Sequence, residues 1–221
     1  RIVRAKAKAK DYTMNRAEIR ERVVVSRVET FKGKRIGYVR LDRFTSGSAS
    51  AFRDAVKQVQ AQKVSGLVFD LRGDPGGLVD EAIKIVAVFL PDKSAVVRTK
   101  SRNGESETLR TEDDPAVPAN LPMVLLVDRN SASASEIVSG ALRDAGRAKL
   151  VGTRTFGKAL IQTTRTLPDG GALKYTTASY LTPKGFDLGT RGLPADIAAT
   201  DDAKTSVDEV LQRGLAAVAG S

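Results

Sequence analysis

The stretch Gly66-Leu-Val-Phe-Asp-Leu-Arg-Gly-Asp-Pro-Gly-Gly77 joins an apolar run of strand length to a turn with several bare backbone amides. Gly66 to Leu71 is short and almost uniformly apolar, as suits a strand covered on both faces. After the turn, Val79, Ala82, Ile83, Val86 and Leu90 recur at helical spacing, so strand, glycine turn and helix form one unit. A second unit repeats the plan. Met123 to Val127 reads as a strand, Asp128-Arg129-Asn130 as the turn, and a helix from about Ser133 carries Ile137, Ala141, Leu142 and Ala145 before Lys149-Leu150-Val151.

Outward from these units, Ile36 to Leu41 reads as a further strand, and Phe52, Ala55, Val56 and Val59 mark a helix behind Ser48. Lys100 to Asn120 is polar and holds Pro115 and Pro118, which predicts a surface loop or short excursion. Strands are expected around Leu173 to Tyr180. A closing helix near Ser206 to Val218 would present Val207, Val210, Leu211 and Val218 on one face. The alternation predicts an α/β domain of βαβ units over 35–221, preceded by a basic segment over 1–34. Both turns fall at carboxyl ends of strands, where open α/β sheets bind ligands.

The chain has 221 residues, 41% hydrophobic and 28% charged, with neither histidine nor cysteine. That excludes a Ser-His-Asp triad, a Cys-His nucleophile, a His-based zinc site and a disulfide framework. No apolar run reaches the ~18 residues of a membrane-spanning helix. The chain opens on Arg1 rather than methionine, and reads as a portion of something longer. Of the net charge of +10, residues 1–34 hold 11 Lys/Arg against 4 Asp/Glu, so the excess belongs to one end. Lys6, Lys8 and Lys10 alternate with alanine and lack interleaved aromatics, which argues against nucleic-acid binding. The carboxylates have no metal-ligand spacing, and neither metal nor cofactor is expected.

Two segments carry candidate chemistry. Ser131-Ala132-Ser133-Ala134-Ser135-Glu136 places hydroxyls at a strand-to-helix turn, where free amides stabilise an oxyanion; Ser133-x-x-Glu136 equally fits a capping box. Gly152-Thr153-Arg154-Thr155-Phe156-Gly157-Lys158-Ala159 has the spacing of a phosphate-binding loop, yet Ala159 stands where a magnesium-binding hydroxyl belongs. Thr163, Thr164 and Thr166 favour a strand over the helix such a loop requires. Lys158 can otherwise serve as a base, and it would touch Gln162 only on a short helical turn.

Together, GLVFDLRGDPGG, SASASEI with ALRDAGRAKLVG behind it, and TFGKALIQ resemble the carboxyl-terminal processing peptidases, or tail-specific proteases, over about Lys34 to Ile197. The resemblance implies a crotonase-like protease core. It implies Ser133 as nucleophile, Lys158 as general base and Gln162 as the residue that orients the lysine. Ala134 and either Gly76 or Gly77 would supply the oxyanion amides. The chain departs from the family pattern at Ala159, where glycine is usual, and at Asp74, where asparagine is common.

Family members usually carry a peptide-binding PDZ module before the core, and residues 1–30 read as the end of such a module and its exit. The implied substrates are proteins with flexible, apolar carboxyl-terminal tails, captured by strand addition. A PDZ module or adaptor is the implied regulator, and the implied location is outside the cytoplasm, in a periplasm or lumen, with membrane association compatible.

In the implied reaction Ser133 attacks a peptide carbonyl and water resolves the acyl-enzyme. An unperturbed lysine, pKa ~10.4, is almost wholly charged at neutral pH, so the base must be desolvated, with Phe156 the expected cover. The competing readings are a silent α/β binding module, which an exposed Lys158 far from Ser133 would mark, and a P-loop-like nucleotide binder.

Overall fold

The computed structural model describes residues 11–13, 22–189 and 191–220. The Lys6, Lys8 and Lys10 alternation lies outside them. Six strands form the central sheet in the order β1-β2-β3-β6-β7-β10: β1 (Val24–Phe31), β2 (Lys34–Leu41), β3 (Leu67–Asp70), β6 (Met123–Val127), β7 (Lys149–Gly152) and β10 (Ile197–Ala198). β1 and β2 are antiparallel and every other pairing is parallel. The crossovers are α1 (Ser48–Gln60), α2 (Val79–Val86) and α3 (Ala134–Asp144), the elements the periodicity predicted.

Alternation along the strands makes two cores. Leu67, Phe69, Leu125 and Leu150 face α1, α2 and α3, where Phe52, Phe69 and Phe89 pack with ring centroids 4.4 to 6.0 Å apart. Ile36, Val68, Val124, Leu126 and Val151 face the opposite side and bury against α4 (Glu209–Ala219) through Val210, Leu211, Leu215 and Val218. Arg72 ties this closing helix to the sheet. Its guanidinium donates to the buried Asp70 carboxylate and, at 2.8 Å from each terminal nitrogen, to both oxygens of Asp208, the N-cap of α4. Among the described residues no helix is long and apolar enough to cross a membrane.

A second, fully antiparallel sheet has the order β5-β4-β9-β8: β4 (Ala95–Ser101), β5 (Ser106–Arg110), β8 (Leu160–Thr166) and β9 (Ala172–Leu181). It corrects the expected loop over Lys100 to Asn120, part of which is the β4–β5 hairpin. β1 likewise pairs with β2 along its whole length, so the core sheet begins before the boundary drawn at residue 35. α4 starts at Glu209, later than predicted, and Val207 is exposed instead of joining the buried face. After Gly152 the chain runs without helix into β8, so the P-loop-like reading fails: no helix N-terminus follows Lys158 to receive a phosphate.

Candidate active site

β3 and β6 are neighbours in the sheet, so the turns at their carboxyl ends lie side by side. Main-chain and hydroxyl hydrogen bonds stitch them together. Ala132 N–H donates to the Asp74 carbonyl at 3.0 Å, the Ser135 hydroxyl to the same oxygen at 2.9 Å, and the Ser131 hydroxyl to the Leu71 carbonyl at 2.8 Å. The approach at Gly76 leaves no room for a side chain. A Cβ there would stand 2.5 Å from the Ala132 carbonyl oxygen and 2.9 Å from Ser133 Cβ, and its φ of +92° already favours glycine.

Ser133 sits at the start of α3 with φ 57° and ψ −113°, a conformation L-residues seldom adopt. Its hydroxyl lies 2.9 Å from the Tyr180 hydroxyl on β9. Burial, the largest influence on Tyr180, raises its pKa, and the nearby Glu136 charge adds to the rise, so the phenol keeps its proton at neutral pH.

Among the described residues, the Ala134 and Gly77 N–H groups have no acceptor within the chain. Gly76 N–H does: it donates to Asp74 Oδ1 at 2.7 Å. Of the two glycine amides left open by the sequence, Gly77 is therefore the one available to an incoming oxygen.

Glu136 is fully buried and gathers four donors. Oε2 accepts from Ser133 N–H at 3.0 Å and from Lys158 N–H at 2.9 Å; Oε1 accepts from Gly157 N–H at 2.8 Å and from the Thr155 hydroxyl at 2.5 Å. One carboxylate thus fastens the serine turn to the lysine turn. Half of the capping box of Ser133-x-x-Glu136 forms, with Glu136 accepting from Ser133 N–H while the Ser133 hydroxyl turns to Tyr180, and the same glutamate also organises a segment some twenty residues on. Sequence reasoning missed that second task, and it missed Tyr180.

The lysine turn is held by its main chain and by the side chains of Thr155 and Ala159. Phe156 N–H donates to the Ser131 carbonyl, Tyr180 N–H donates to the Ala159 carbonyl, and the Ala159 methyl is buried in the main core. The Lys158 side chain is exposed, with no hydrogen bond or ion pair from its ammonium among the described residues, and Phe156, expected to cover it, is 64% exposed. Gln162 is not brought to Lys158. The helical turn their contact requires is absent: Gln162 is exposed on β8, opposite Thr176 and beside a bulge.

Three layers of α/β structure with a strained serine at a strand-to-helix turn, open amides beside it and a lysine turn bound to the same glutamate describe a hydrolase-type site without histidine. The comparisons agree: residues 35–199 match the sequence profile of Peptidase family S41, and the chain belongs to that family. It is 37% identical over 179 residues to the "Probable CtpA-like serine protease" of Staphylococcus aureus (strain COL), covering 80% of this chain and 36% of that protein. The Staphylococcus haemolyticus (strain JCSC1435) protein of the same name is also 37% identical, over 178 residues, with the same coverage of each chain. The chain thus spans about a third of the length of these curated relatives.

Among solved structures, a photosystem II D1 C-terminal processing protease superposes with a TM-score of 0.75 at 30% identity, over 92% of this chain and 54% of that one. A lipoprotein from Streptococcus agalactiae shares the fold, with a TM-score of 0.70 at 19% identity over 90% and 70% of the respective chains.

Proposed function

We propose that this chain is the protease core of a serine endopeptidase that cleaves carboxyl-terminal regions of proteins, with Ser133 as nucleophile and Lys158 as general base. The shared Glu136 oxygen carries the reading. With Ser133 N–H at 3.0 Å and Lys158 N–H at 2.9 Å from the same atom, the two nitrogens lie no more than about 6 Å apart, within reach of a lysine's four-carbon stem.

Substrate docking over the turn would take the ammonium out of water and favour its neutral form. The neutral amine then accepts the Ser133 proton as Oγ leaves Tyr180 and bonds to the substrate carbonyl carbon. The new oxyanion faces the Ala134 and Gly77 N–H groups, in the field of the α3 N-terminus. On collapse the peptide C–N bond breaks and the leaving amine takes the proton from Lys158. Water then splits the acyl-enzyme and restores Ser133. Leu78 beside Gly77 and Phe156 beside the lysine turn are both exposed, which suits an apolar, flexible tail. An extracytoplasmic location and delivery of the tail by a PDZ module or adaptor belong to the same proposal.

A silent binding module is the second reading, and one observation favours it: the Lys158 ammonium stands in solvent, with Ser133 paired to Tyr180 instead. A serine-directed phosphonate separates the two. A single adduct mapped to Ser133, lost in Lys158→Ala, is the expected result; absence of any adduct on the native chain would favour the silent module.

A further inference from the structure

Asp74 is fully buried in the glycine turn, and its carboxylate is only half satisfied. Oδ1 accepts from Gly76 N–H at 2.7 Å, whereas Oδ2 is buried with no hydrogen-bond partner among the described residues. An ionised carboxylate in that position is costly, because a buried charge needs more than one donor to offset lost hydration. Desolvation, the largest influence, pushes its pKa up to about 7, against the smaller lowering by Gly76 N–H.

Charged groups of both signs surround it. Asp42 and Arg43, after β2, push in opposite directions. Asp128, at the end of β6, is committed to Gly73 N–H at 3.0 Å. From α3 the Asp74 peptide meets the Ser135 hydroxyl, while the neighbouring Glu136 carboxylate is filled by its own four donors.

Asp74 is also close to the chemistry. Gly76, whose amide it holds, packs against Ser133 so tightly that a Cβ would be 2.9 Å from Ser133 Cβ and 2.8 Å from Ala134 N. A charge on Asp74 is thus separated from the oxyanion position by little more than one glycine.

We propose that Asp74 is a positioning residue with a second effect: neutral, it holds the glycine turn by accepting from Gly76 N–H, and ionised, it places a negative charge behind the oxyanion amides that opposes attack by Ser133. The site would carry its own alkaline brake. At an effective dielectric near 20, two like charges about 10 Å apart repel by enough to slow a reaction roughly fifteenfold, so a loss on the order of tenfold is expected here. This inference rests on the proposed role of Ser133.

Asp74→Asn tests it, because asparagine keeps the acceptor for Gly76 N–H and cannot ionise. The rate of Ser133 labelling by a serine-directed phosphonate is measured from pH 5.5 to 8.5 in both proteins, and their ratio cancels the pH dependence of the base. The variant-to-native ratio should rise about tenfold across that range. A ratio independent of pH overturns the brake.

Urea unfolding supplies a readout that needs no activity. A carboxyl with a raised folded pKa loses stability between its unfolded value and its folded value, so the variant's advantage should grow from about pH 4 to about pH 7 and then level off. A stability difference flat across pH 4 to 7 overturns the titration, and the brake with it. If neither protein is labelled at any pH, the role of Ser133 itself falls, an outcome distinct from labelling with a constant ratio.

Discussion

At the scale of single residues, Glu136 bears most on the geometry. Four donors converge on a buried carboxylate, and replacing one oxygen by an amide nitrogen sets donor against donor. Glu136→Gln should cost about 2 to 4 kcal/mol in urea unfolding and slow phosphonate labelling of Ser133 more than tenfold. Native-like labelling in that variant would show that the two turns hold together without the carboxylate.

Ser133 and Lys158 could be picked out from the chain because each is spelled within a recognisable turn. Glu136 was visible only as a cap, since Ser-x-x-Glu is fully explained by the local helix start. Its bonds to Thr155, Gly157 and Lys158 depend on two loops meeting, which no local spacing encodes. Tyr180, 47 residues beyond Ser133, is hidden for the same reason.

At the scale of elements, the central βαβ units were legible because buried parallel strands and one-sided helices print their period in apolar residues. The second sheet was less so. Ser106-Glu107-Thr108-Leu109-Arg110 has no buried residue, so β5 lacks the alternation that a core-facing strand would show. β8 gave a better signal through its threonines, and its extended form is what separates Gln162 from Lys158.

The serine turn and the glycine turn meet tightly at Gly76. In Gly76→Ala a methyl group would press on the Ala132 carbonyl at a φ of +92°. The substitution should cost about 2 to 4 kcal/mol in thermal or urea unfolding and displace the Ser133 turn, with loss of labelling. An alanine variant of native stability and reactivity would mean that the turns can separate freely.

For the whole molecule, the Arg72 bridge decides how the closing helix stays on the sheet. Desolvation raises the Asp208 pKa, but hydrogen bonds from Arg72 and Leu211 N–H and the charges of Arg72 and Arg27 together outweigh it and leave the pKa lowered. A depressed carboxylate pKa gives stability that is present above the unfolded value, near 3.9, and lost as pH falls through the folded value. Asp208→Asn keeps one acceptor at the helix N-cap and removes the charge together with one of the two oxygens that Arg72 bridges. With the side chain 40% exposed, the loss should be about 1 kcal/mol at neutral pH and shrink as pH falls through the lowered folded value, read as the difference between urea curves.

The lysine turn has a bearing on timing. Its main chain is fastened by Glu136 and the lysine side chain by nothing among the described residues, so on the proposed reading rest and work differ only by rotations about side-chain bonds, which exchange in picoseconds to nanoseconds. Such an enzyme would have no induction period, and the arrival of a tail, rather than a slow rearrangement of the backbone, would set its pace.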